Sequence, residues 1–109
     1  MTFNEYQAAA LQTANPRLDL WYALAKLTTE AGEALQLLCK EEYHGKVYDR
    51  ELLQEELGDT LWHLALAAQE LGISLDDIAV ANIGKLRLRH GDAYNAAHYN
   101  PESHGGPAL

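Results

Sequence analysis

Apolar side chains recur along most of the chain at the three- and four-residue spacing of an α-helix, and no stretch alternates as a strand does. The pattern predicts four helices. The first covers about residues 3–13 and stops ahead of Asn15-Pro16, a turn signal. The second covers about residues 18–43 and is expected to end at His44-Gly45, where glycine can take a left-handed capping conformation. Asp49 is the expected N-cap of the third, which reaches about Leu71 and is closed by Gly72. The fourth opens on Ser74-Leu-Asp-Asp77, a capping-box pattern with Asp in place of Glu, and runs to about His90. A helical domain over residues 1–92 is therefore expected. After it, residues 93–109, rich in Asn, His, Gly and Pro, form a tail that is either a lid or disordered.

Two places break the simple amphipathic pattern. Leu61-Trp-His-Leu-Ala-Leu-Ala-Ala68 is apolar on nearly every face except at His63. A helix apolar all round has to be covered on all sides, which predicts that this segment lies at a subunit interface. The second break is a pair of acidic doublets, Glu30-Ala-Gly-Glu33 and Glu56-Leu-Gly-Asp59, set among expected core positions. Those positions are Leu27, Ala31, Ala34, Leu35 and Leu38 on one helix and Leu52, Leu53, Leu57, Leu61 and Leu64 on the next. Residues three apart share a helix face, so each doublet aims two carboxylates the same way. Antiparallel packing about the Tyr43–Tyr48 turn brings the doublets level, at ~1.5 Å of rise per residue. Carboxylates beside a core stripe are costly to desolvate unless something positive meets them. Four of them would make a hard, oxygen-lined site suited to Mg²⁺ or Mn²⁺; the competing reading is a solvated acidic face.

Composition narrows the partners. A formal net charge of −8 over 109 residues argues against polymeric nucleic acid, although a bound cation can reverse the sign locally for a small phosphorylated ligand. The one cysteine, Cys39, lies in an apolar helical stretch, reads as a packing residue and fits a reducing compartment. The start MTFNEYQ has no basic and apolar leader and no run is long enough to span a membrane, so a cytoplasmic location is expected. A redox di-iron bundle needs Glu-x-x-His on two helices, and the sequence has it only at Glu41–His44. His44, His90, His98 and His104 lack tight metal-ligand spacing.

Glu30-x-x-Glu33, a 22-residue spacer, and Glu56-x-x-Asp59 followed by an apolar helix resemble the MazG-like, all-α nucleoside triphosphate pyrophosphohydrolases. Lys26, four residues before Glu30, and Ala81-Asn-Ile-Gly-Lys-Leu-Arg-Leu-Arg89, similar to an Asn-x-x-Lys-x-x-x-Arg segment, extend the resemblance over roughly residues 3–92. It implies a four-helix bundle assembled as a dimer or a dimer of dimers. The implied activity is Mg²⁺-dependent hydrolysis of a (deoxy)nucleoside triphosphate to the monophosphate and pyrophosphate, a house-cleaning reaction on the nucleotide pool, with Mn²⁺ as a possible substitute. Carried over by position, Glu30, Glu33, Glu56 and Asp59 would be the metal ligands and catalytic acids. Lys26, Asn82, Lys85 and Arg89 would contact phosphates; for Lys85 and Arg89 the alternative is a last helical turn complementing its own dipole.

Two features depart from the family pattern. Thr29 stands before Glu30 where many members carry a second acid, and Arg89-His-Gly-Asp-Ala-Tyr94 replaces a frequent Arg-Tyr-Pro-Asp-Gly-Phe. Trp21, Trp62 and His63 flank the doublets and are candidate base contacts, because an aromatic ring can stack on any nucleobase. Phosphoribosyl-ATP pyrophosphohydrolase, with a similar first motif, is the enzymatic alternative. A non-catalytic oligomerisation or ligand-binding module is the alternative from another class.

Overall fold

The computed structural model describes residues 1–44 and 48–94, all in helices and the short turns between them. The elements are α1 (Phe3–Gln12), α2 (Leu20–His44), α3 (Arg50–Glu70) and α4 (Leu75–His90). Each lies within about two residues of its sequence-expected bounds. The capping role expected of Gly45, and the lid or disorder expected of the tail, fall outside the described residues or, for the tail, do so from residue 95 onward. Among the described residues there is no strand, and no helix is long and apolar enough to cross a membrane.

Local chemistry sets the helix ends. Thr2 and Glu5 form a reciprocal capping box at α1, with the Glu5 N–H on Thr2 Oγ1 at 3.0 Å and the Thr2 N–H on Glu5 Oε1 at 2.9 Å. Asp19 Oδ1 accepts from the Tyr22 N–H (2.8 Å) as α2 begins, and Asp49 Oδ1 accepts from Glu51 and Leu52 ahead of α3. Gly72, at φ 70°, turns the chain out of α3. Its N–H bonds to Gln69 O and that of Ile73 to Ala68 O, the paired bonds of a Schellman motif. At α4 the sequence points to a local Ser74–Asp77 cap, and the structure adds a long-range one. Gln7, buried on α1, accepts the Leu75 N–H at 2.8 Å while donating to Ile73 O at 3.1 Å, and Asn4 Oδ1 accepts the Asp76 N–H.

The chain divides into two units, Met1–Asp76 and Asp77 onward. In the first, α3 packs against both α2 and α1. Ala23 of α2 meets Leu66 and Ala67 of α3, and ten residues away Glu33 meets Glu56; equal and opposite steps along the two helices show them to be antiparallel. Leu11, Ala14, Leu18, Leu20 and Trp62 close around the small cluster of Ala23, Leu66 and Ala67, and the Trp62 indole N–H donates to Thr13 Oγ1 at 2.8 Å. The second unit contains most of α4, which ends at Gly91 (φ 77°), with the Gly91 N–H on Arg87 O and an Arg87–Asp92 ion pair at 3.5 Å.

Two packing expectations change. Ala65, Leu66, Ala67 and Ala68 are buried within the single chain, so their apolar character needs no second subunit to cover it. The uncovered side chains lie instead at positions expected to face the core: Leu35 is 61% exposed, Leu57 57%, and Leu38, Leu52 and Ala31 are exposed as well. Ala34 is buried, and Leu27, Leu53, Leu61 and Leu64 are half-buried, as their spacing suggests.

Candidate functional site

Glu30 lies on the stripe of α2 that faces α3, between the buried Ala23 and Ala34, and is itself only 8% exposed. Glu33 follows one turn later, and Glu56 reaches in from α3. One carboxylate oxygen from each of the three lies within 4.8 Å of the others. Three acids this close repel unless protons or cations intervene. Lys26, one turn before Glu30, supplies some positive charge, its Nζ lying 3.6 Å from Glu30 Oε1.

The electrostatics divide the cluster into two roles. Glu56 is pushed up to about 7, first through its hydrogen bond with Glu30, then by burial and by its hydrogen bond with and charge from Glu33. For Glu30, burial is the largest influence and acts upward. Hydrogen bonds with Glu56 and Glu33, together with the Lys26 ammonium, outweigh it and hold the carboxyl below its usual range. Without metal, then, Glu56 keeps the shared proton and Glu30 the charge. Glu56 Oε2 is buried and has no hydrogen-bond partner. A buried acceptor left without a donor is costly, and an oxygen-seeking divalent cation would satisfy it. The donor set fits such an ion.

The structure gathers Glu30, Glu33, Glu56 and Lys26. Asp59, the fourth acid expected, is exposed and outside the group of three. It follows Glu56 by three residues and so neighbours it on α3, but its side chain is exposed where Glu56 is half-buried. Its charge acts on Tyr6 of α1, whose phenol is pushed up first by burial and then by Asp59. His63 is buried, and its Nδ1 lies 2.7 Å from the backbone oxygen of Asp59. A carbonyl can only accept, so Nδ1 carries the proton in that bond. The ring stands edge-on to Trp62 at 4.8 Å and tilted against Tyr22 at 6.0 Å. Trp62 is used in packing α1 on α3, and Trp21 is 87% exposed near the start of α2. Asn82, Lys85 and Arg89 lie on α4 in the second unit, at a spacing that puts them on one face, all exposed.

Tyr22 and Tyr6 are neighbours of the site that the sequence did not single out. Tyr22 could have been found, since it precedes Glu30 by eight residues on the same helix. Tyr6 depends on how α1 docks, which no local pattern encodes.

An all-helical chain that collects three carboxylates around a buried, unsatisfied oxygen has the makings of a cation-dependent helical protein. A family model described as the MazG nucleotide pyrophosphohydrolase domain matches residues 22–93, well over half the chain, and the chain belongs to that family. The matched span takes in both acidic doublets and all of α4 and leaves out α1. Comparison with curated proteins and with solved structures gives no significant match. Membership implies nucleotide pyrophosphohydrolase activity in general, that is, hydrolysis of a phosphoric anhydride bond.

Proposed function

We propose that the chain is a Mg²⁺-dependent nucleoside triphosphate pyrophosphohydrolase that clears a surplus or noncanonical (deoxy)nucleoside triphosphate from the cytoplasmic pool. The supporting observation is the group Glu30, Glu33 and Glu56, with oxygens within 4.8 Å and one of them buried and unsatisfied. These three residues would hold the cation, with Asp59, one turn on from Glu56, as the fourth ligand. When bound, a divalent ion neutralises triphosphate charge and lowers the pKa of a coordinated water. Glu33, partly exposed, takes the proton of the attacking water at its free carboxylate oxygen. The new bond joins the water oxygen to phosphorus, the anhydride bond between the α- and β-phosphates breaks, and pyrophosphate carries away the electron pair. Lys26 binds the phosphates together with Asn82, Lys85 and Arg89 of α4, supplied by the same chain or by a neighbouring subunit, and the cationic groups among them stabilise the charge that builds on the leaving group. His63, with the Tyr22 ring tilted against it at 6.0 Å, offers the aromatic surface for the base.

The same proposal includes a homodimer or homotetramer. Leu24, Ala31, Leu35 and Leu38 follow one another along α2 at steps of seven, four and three and are all exposed, a stripe of the kind that packs on another helix.

Product analysis tests the activity. Purified protein with Mg²⁺ and a panel of ribo- and deoxynucleoside triphosphates, with phosphoribosyl-ATP included, should release monophosphate and pyrophosphate from one or a few of them. Glu56→Gln should abolish that turnover while leaving the helical circular dichroism unchanged. Cleavage of phosphoribosyl-ATP alone would replace the substrate, and no turnover with Mg²⁺ or Mn²⁺ would replace the enzyme with a binding or assembly module.

A further inference from the structure

We propose that Lys26 is an internal stand-in for the cation: its ammonium holds the metal-free cluster through Glu30, gives up that carboxylate when a divalent ion enters, and so reaches a phosphate only at a loaded site. The inference rests on the cation-site reading above and adds an order of events to it. Lys26 lies one turn before Glu30 on the same face of α2, so its side chain is tied to the rim of the cluster. Its Nζ is 3.6 Å from Glu30 Oε1, less than the 4.8 Å that spans the three carboxylates. The ammonium is therefore paired with a carboxylate that the cluster itself uses.

Two features make the contact exchangeable. A separation of 3.6 Å is long for a hydrogen bond, so the attraction is a loose charge pairing that breaks without loss of a fixed geometry. The Lys26 side chain is 37% exposed against 11% for Glu30, so the lysine can leave toward water while the glutamate stays. Lysine suits the task because it carries a compact charge on a flexible stem; an arginine fork would grip a carboxylate through two parallel bonds. A divalent ion and the ammonium compete for one carboxylate, and their mutual repulsion at this range favours one occupant at a time. Release of Lys26 then adds a free positive charge beside the ion, where a triphosphate must bind. The site would fill in sequence, metal before nucleotide.

The test is Mn²⁺ titration of the full chain followed by electron paramagnetic resonance, with no nucleotide present. Lys26→Met should bind Mn²⁺ about tenfold more tightly than the wild type, since it keeps the stem and removes the competing charge. Lys26→Arg should bind it no more tightly than the wild type. In the metal-free state Lys26→Met should melt below the wild type, because Glu30 has lost its counter-charge. With Mn²⁺ saturating, the same variant should bind inorganic tripolyphosphate more weakly. Unchanged or weaker Mn²⁺ binding by a correctly folded Lys26→Met overturns the proposal and leaves Lys26 as a plain phosphate contact or as a strut that positions Glu30. Absence of any Mn²⁺ binding that Glu56→Gln removes, in the wild type, defeats the cation-site reading itself, an outcome distinct from the first.

Discussion

Protons and metal ions should compete openly at Glu56. Its carboxyl is pushed up to about 7 in the folded, metal-free protein, against 4.5 for an unperturbed glutamate. A cation needs the ionised form, so each proton removed from Glu56 opens the site. With a midpoint near 7, about one molecule in ten has Glu56 ionised at pH 6 and about nine in ten at pH 8. Apparent Mn²⁺ affinity should therefore rise about tenfold from pH 6 to pH 8 and level off above it. Isothermal titration calorimetry at half-unit intervals reads this directly, and the same titrations should show about one proton released per ion near pH 6. Glu56→Gln should bind the ion weakly at every pH and lose the slope, which separates Glu56 from the nearby His63. The linked effect on folding has the opposite sense. A carboxyl whose pKa is raised by folding contributes stability that is fully present below pH 4.5 and is lost as pH rises through about 7. Glu30, held low, contributes stability that is present above pH 4.5 and is lost as pH falls through its folded value. Between pH 5 and 8 the Glu56 effect governs: the metal-free melting temperature should fall as pH rises, and Glu56→Gln should flatten that fall. Mn²⁺ affinity independent of pH from 6 to 8 in the wild type would refute the reasoning.

Three further perturbations probe other parts of the molecule. Gln7→Ala strips two partners at once, the buried Leu75 N–H and the part-buried Ile73 carbonyl; at about 1–3 kcal/mol for the orphaned buried N–H and about 1 kcal/mol for the carbonyl that water can reach, it should cost about 2–4 kcal/mol, read as a lower urea midpoint at unchanged slope. Lys85→Ala should weaken nucleotide binding while leaving Mn²⁺ binding in the absence of nucleotide as it was, and an equal loss of both would remove Lys85 from the phosphate site. Leu35→Glu puts a charge in the exposed stripe of α2 and should shift sedimentation toward the single chain; an unchanged oligomer, or a wild type that is monomeric at micromolar concentration, would place the interface elsewhere or nowhere.

The four helices were readable because their signals are local: apolar periodicity, Asp49 as a cap, Gly72 as a stop. The meeting of the two doublets was readable for a related reason, since spacing within each helix and a short connection between them bring the doublets level; that Glu56 rather than Asp59 meets Glu33 was not. Asp59 shows where that reasoning stops. One carboxylate of a doublet can face the neighbouring helix while the other is left exposed, and only the rotation of α3 decides between them. The Trp62 indole of α3 donates to Thr13 of α1, a contact between residues 49 positions apart that no local pattern encodes. Ala65–Ala68 are buried within the chain while Leu35 and Leu57 lie open, which their spacing did not suggest. The Gln7 bridge to Ile73 and Leu75 was out of reach for a simpler reason: it joins residues 66 and 68 positions apart.

Among the described residues no large side chain is completely enclosed, and the buried apolar ones are mostly alanines. A core of methyl groups lets helices approach closely but removes little hydrocarbon surface from water. The heat-capacity change on unfolding and the denaturant slope both scale with the surface exposed, and a chain of this length ordinarily shows about 1.3–1.6 kcal/mol/K for the former. One chain alone should fall short of that figure. Calorimetry that returned the full value would mean that much of the surface exposed on unfolding had been hidden between copies, and the melting temperature should then climb with protein concentration, as mass action requires. For a chain assembled in that way, diluting the sample would itself be a perturbation.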